Sequence, residues 1–97
     1  MKIFYTEEAK QNIREVFDYI ACDSYDNAVA VRKRMKEAVD RLKDFPDIGF
    51  YPKHKKLKAR GYRFLVSDNY LIFHKIKGDT IIIIAVIHGS REYSKLL

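Results

Sequence analysis

The sequence predicts an α+β fold in the order β-α-α-β-β-β. An N-terminal strand and an antiparallel helical hairpin pack with a three-stranded meander into a mainly antiparallel four-stranded sheet. Three observations predict it. Two successive stretches, up to Cys22 and then from Asp23 or Ser24 to Phe45, place apolar residues at the helical period with only a short polar turn between them. After Gly61 the pattern changes to runs of β-branched and aromatic residues, punctuated by Ser67-Asp68-Asn69 and Lys77-Gly78-Asp79. Before both, Lys2 to Tyr5 is a short β-favouring run.

The first helix has a start signal as well as a period. Thr6 offers an N-cap oxygen, and Glu7 and Glu8 put negative charge on the positive end of the helix. Ala9, Ile13, Val16, Phe17 and Ile20 give it one apolar face. In the second helix Ala28, Val31, Met35, Ala38, Leu42 and Phe45 alternate three and four residues apart. That narrow seam suits antiparallel packing against the first helix. Phe45-Pro46 ends it, because a residue before proline avoids the helical region. Asp47-Ile48-Gly49 is then a turn, followed by a basic loop from Lys53 to Arg60.

The meander consists of strands at Tyr62 to Val66, Tyr70 to Ile76 and Thr80 to Ile87. The last, Ile81-Ile82-Ile83-Ile84-Ala85-Val86-Ile87, is apolar at successive positions, which marks a central strand covered on both faces. The hairpin covers one face. Little chain remains to cover the other, which suggests that a partner completes the fold.

The 97 residues make one domain, 1–97. A single Cys22 excludes an intrachain disulfide and fits a reducing cytoplasm; it is expected to be a small apolar filler near a helix end. The longest apolar run is far below the ~20 residues of a membrane helix, so no membrane partner is expected. The N-terminus turns charged at once, unlike a signal peptide. Three scattered histidines with no acidic cluster do not make a metal site, and no Gly-rich strand-to-helix loop is present to hold a nucleotide. No cofactor is expected.

Charge is unevenly distributed. Residues 1–50 carry 9 Lys/Arg against 10 Asp/Glu, whereas residues 51–97 carry 10 against 3. Such asymmetry points to nucleic acid or an acidic protein partner, or to a solvated basic face.

Asp18-Tyr19-Ile20-Ala21, Phe45-Pro46-Asp47-Ile48-Gly49, Gly61-Tyr62-Arg63, Tyr70-Leu71-Ile72-Phe73 and Val86-Ile87-His88-Gly89-Ser90-Arg91-Glu92 occur in the order and spacing of one family. Across nearly its whole length the chain resembles the RelE/ParE superfamily of bacterial toxins, the toxin halves of type II toxin–antitoxin, or plasmid-stabilisation, modules. The resemblance implies a cognate antitoxin with an acidic amphipathic segment, whose acids would meet Lys53, Lys55, Lys56 and Lys58. It also implies one of two targets. ParE-like members poison DNA gyrase, while RelE-like members enter the ribosome and cut mRNA.

The Phe-Pro-x-x-Gly turn and the Tyr-Leu-Ile-Phe strand look more like the ParE side. Among the cations that RelE-like nucleases use on the scissile phosphate, Arg63 and Arg91 match two positions. Leu65 and Leu71 stand where further cations are expected, and Tyr93 lies several residues early for the late tyrosine. Losing two cations would remove much of the stabilisation of such a transition state. A histidine-using nuclease branch is similar in another respect: His54, Asp68 and His88 occupy comparable places, and histidines can serve as acid and base. Under either mechanism Lys53, Lys55, Lys56, Lys58, Arg60, Arg91 and Tyr93 are the candidate target- and antitoxin-binding residues. A non-toxic basic nucleic-acid-binding module is the remaining reading. It lacks the aromatic stacking pair of an RNA-reading sheet and a recognition helix preceded by a Gly turn.

Overall fold

A computed structural model describes residues 1–90. It contains β1 (Lys2–Tyr5), α1 (Glu7–Ala21), α2 (Tyr25–Asp40), a 3-10 turn (Arg41–Lys43), α3 (Lys55–Ala59), β2 (Arg63–Ser67), β3 (Tyr70–Lys77) and β4 (Thr80–His88). The four strands form one sheet in the order β1-β4-β3-β2. β2 pairs with β3 and β3 with β4 in antiparallel fashion, and β1 adds to the other edge of β4 in parallel. The α+β order read from the sequence is the order observed.

Each helix of the hairpin is capped as its sequence suggests. The Thr6 hydroxyl accepts from the Ala9 N–H at 3.0 Å, and the Ser24 hydroxyl accepts from the Asn27 N–H at 3.1 Å. Thr6 has a second role, because its hydroxyl donates to the Ile84 carbonyl at 2.9 Å where β1 stops and leaves the edge of β4 open. Six residues on, the Asn12 side chain accepts from the Val86 N–H at 2.9 Å. Two polar side chains thus replace the missing strand.

The seam of α2 is the core. Ala28, Val31, Met35, Ala38 and Leu42 are all buried, and all but Ala28 join Ile72, Ile81, Ile83 and Val86 of the sheet in one cluster. Phe45 departs from the expectation: the helix tightens into a 3-10 turn after Asp40, and the Phe45 ring is 61% exposed. Leu42, inside the turn, keeps its place on the seam, whereas Phe45 follows the turn and leaves it; Val39 of α2 is buried as well. Cys22 is exposed at the hairpin turn, with its thiol on the Asp18 carbonyl, and is not a filler.

β4 is central, as its composition suggested. Its two faces differ, however. Ile81, Ile83 and Val86 are buried beneath the helices, while Ile82, Ile84 and Ile87 are half-buried on the far face. The chain supplies part of that second lid itself. The basic stretch is not an open loop: its middle folds into α3, and Leu57, fully buried, packs with Tyr62 and Phe73 against the far face. Tyr62 lies just before β2 rather than in it, donating its N–H to the Leu57 carbonyl at 3.1 Å.

One irregularity breaks the sheet. Phe73 pairs with Ala85 but His74 pairs with Ile83, so Ile84 is an extra residue in β4. Such a bulge twists the strands locally. Beside it, Phe50 forms an isolated antiparallel bridge with Phe64 at the edge of β2. Gly49, just before Phe50, has φ 118°, and a Cβ there would lie 3.1 Å from the His74 ring and 3.1 Å from the Phe64 carbonyl. Only glycine fits that turn.

Candidate functional site

The residues singled out from the sequence fall at different places on the sheet. His88 ends β4 opposite Tyr70, whose ring meets the imidazole edge-on at 5.4 Å. Its Nδ1 lies 2.7 Å from the Ser90 hydroxyl and accepts from the Ser90 N–H at 3.2 Å, which leaves Nε2 to carry a proton. Asp68 sits in the β2–β3 turn with φ 52°, and with Tyr70 and His88 it lines a groove whose other wall is Val16, Tyr19 and Ile20 of α1. Its carboxylate is engaged by Arg34 of α2, whose Nε and Nη2 each donate at 3.0 Å. Asp68 is therefore a tie between the turn and α2 as much as a free base.

Arg63 lies elsewhere. It pairs with His74, four residues along β3 from Tyr70 and two strands from β4. With strand spacings of ~4.8 Å and rises of ~3.3 Å, its backbone is about 16 Å from that of His88. Its guanidinium donates to the Asp47 carbonyl and, at 2.7 Å, to the Tyr51 hydroxyl, and it lies 4.6 Å from the centre of the Tyr51 ring. It fastens the segment 47–51 to β2, and its side chain is only 22% exposed. His54 precedes α3, half-buried, with Nδ1 buried and unpartnered. The structure brings Asp68 and His88 to one groove, and places Arg63 and His54 outside it.

Lys53, Lys55, Lys56, Lys58 and Arg60 are all exposed on and around α3. Arg91 and Tyr93 lie outside the described residues. No group of three or more His, Cys, Asp or Glu able to hold a metal occurs among the described residues. None of their helices is long and apolar enough to cross a membrane.

The family model for the ParE toxin of the type II toxin–antitoxin system parDE matches residues 3–93. The chain belongs to the ParE toxin family. Among solved structures it is similar to a chain of the chromosomal ParDE toxin–antitoxin system from P. aeruginosa, with a TM-score of 0.75 and 18% identity, covering 91% of this chain and 95% of that one. At that identity the likeness is one of fold. No curated protein matches the chain. The protein is thus the toxin of a type II module, and its partner is a cognate antitoxin.

Within this ParE-family toxin the departures at Leu65 and Leu71 have a physical setting. Leu65 is buried in the main core and Leu71 packs against the second cluster. These positions hold the sheet together, and a lysine or arginine at Leu65 would have to leave the core to reach a phosphate.

The sequence did not single out His74, which reads as an ordinary polar position of a strand. It is 1% exposed, and neither ring nitrogen has a partner at hydrogen-bonding geometry. Burial holds its pKa below the ordinary 6.5, the Arg63 charge adds to this, and the nearby backbone of Ile72 and Ile48 offsets only part of the effect. In the unfolded chain the ring protonates at its ordinary value. The unfolded state therefore binds more protons in the window below about 6.5, and stability falls as the pH drops through it. Thermal melts on either side of that window should diverge for the native toxin and diverge less for His74→Leu. Equal pH dependence in the two proteins would show that His74 does not carry the effect.

Proposed function

We propose that this ParE-family toxin arrests growth by poisoning DNA gyrase. The observation that carries the reading is the dispersal of the nuclease candidates. Phosphate-cutting sites need cations and a proton-transfer pair converging on one position. Here Arg63 is engaged by the 47–51 segment, His54 lies beyond the groove, and Leu65 and Leu71 belong to the packing. A poison needs instead a surface that binds and holds its target. The ribonuclease reading retains one supporting feature, the placing of Asp68, Tyr70 and His88 along one groove.

In this reading the apolar face of the antitoxin segment lies in that groove, while its acids reach Lys53, Lys55, Lys56 and Lys58. Val16 and Ile20 are only half-buried on α1, and Tyr19 is 78% exposed. An amphipathic segment that folds as it binds would cover this apolar strip. Inducible expression in bacteria separates the targets. A DNA-damage response with intact transcripts is expected, and antitoxin co-expression should suppress it. Immediate translation arrest with cut transcripts would instead make the protein a ribonuclease.

A further inference from the structure

The α3 surface lies outside the groove and combines features of its own. Residues 48–67 contain no acid, yet they carry Lys53, Lys55, Lys56, Lys58 and Arg60 in addition to Arg63. Among the described residues, none of those five forms an ion pair, whereas Lys10, Arg34, Lys36 and Lys43 of the helical hairpin all do. Unpaired cations so close together repel one another, and an anionic partner relieves that cost.

The patch is built on fixed supports. Leu57, fully buried, anchors α3 to the far face of the sheet. The Lys58 ammonium lies 5.3 Å from the Tyr51 ring, and that of Lys75 on β3 lies 5.6 Å from the Tyr62 ring. Lys75 thereby extends the charge from α3 onto the sheet. Aromatic contact restrains both side chains, so less conformational entropy is lost when they bind.

The chemistry of the surface distinguishes its partner. Within Lys53 to Arg60 the one large apolar side chain, Leu57, is buried, as is Tyr62 just beyond it; the exposed rings beside the patch are Tyr51, under Lys58, and Phe50. An acidic peptide that orders on binding recovers the cost of ordering mainly by burying apolar side chains, and the segment from Lys53 to Arg60 exposes no large one. A phosphodiester backbone needs none. It gains free energy by releasing counterions to a row of cations.

We infer that the α3 surface, Lys53 to Arg60 with Lys75, binds the sugar–phosphate backbone of nucleic acid without reading its sequence. This contact lies outside the groove, competes with the antitoxin's acids for Lys53, Lys55, Lys56 and Lys58, and does not depend on gyrase being the target.

The test is fluorescence anisotropy of the purified full-length chain with labelled duplex DNA, and separately with labelled single-stranded RNA, over a range of salt. The triple variant Lys53→Gln/Lys55→Gln/Lys56→Gln should weaken binding at least about tenfold and lower the salt slope on duplex DNA by about 2.7, near 0.9 per phosphate contact. A matched variant on the hairpin, Lys10→Gln/Lys33→Gln/Lys36→Gln, should bind nearly as the native chain does. The two arms identify which nucleic acid is preferred. The inference is overturned if neither is bound at low salt, or if the matched variant loses as much. It is also overturned if polyglutamate of equal charge competes as well as nucleic acid, which would assign the patch to an acidic polypeptide.

Discussion

Leu42→Ala is expected to cost the toxin about 2–5 kcal/mol of stability, a large share of the total of about 5–15 kcal/mol and all of it for a domain at the low end. Leu42 is fully buried where the 3-10 turn leaves α2, and it joins the core cluster with Met35, Ala38, Val39 and the sheet. Truncation removes three carbons from a site bounded by helix on one side and by sheet on the other, so the cavity cannot collapse easily. Phe45→Ala, by contrast, should change the melting temperature little, since that ring is mostly exposed. A native melting temperature in Leu42→Ala would overturn the assignment of the core.

Arg91→Ala is expected to abolish growth arrest while leaving folding and antitoxin binding largely intact. Arg91 follows His88, the last residue of β4, by three residues in sequence, with Gly89 and Ser90 between them. A guanidinium can bind phosphate or carboxylate bidentately, so it serves a poison and a nuclease alike. His88→Gln then divides the mechanisms. It should weaken a gyrase poison only partly, and it should abolish activity if His88 transfers protons. Full toxicity of Arg91→Ala at matched protein level would remove Arg91 from the site.

How much was legible in the sequence depended on how local each signal was. The seam from Ala28 to Leu42 could be read because helical period and burial coincide over four turns. β4 could be placed at the centre because an unbroken apolar run has few other locations. α3 could not be read, because five residues with Leu57 as their only large apolar side chain show no period. Phe45 kept the seam's spacing, but the change to a 3-10 turn took it out of the core. The Ile84 bulge and the Arg34–Asp68 pair, 34 residues apart, are set by tertiary register alone. The same holds for the site. The sequence indicated Asp68 and His88, and only the fold shows that Arg63 lies well away from them, engaged by Asp47 and Tyr51.

The central claim is that this ParE-family toxin acts on gyrase and not on RNA. Its most direct test adds the purified chain to gyrase and supercoiled plasmid, with a parallel reaction containing translating ribosomes and labelled mRNA. Dose-dependent accumulation of linear plasmid from trapped cleavage complexes, with the mRNA intact, is the predicted result. Cut mRNA beside unaltered supercoiling and no linear plasmid would contradict it.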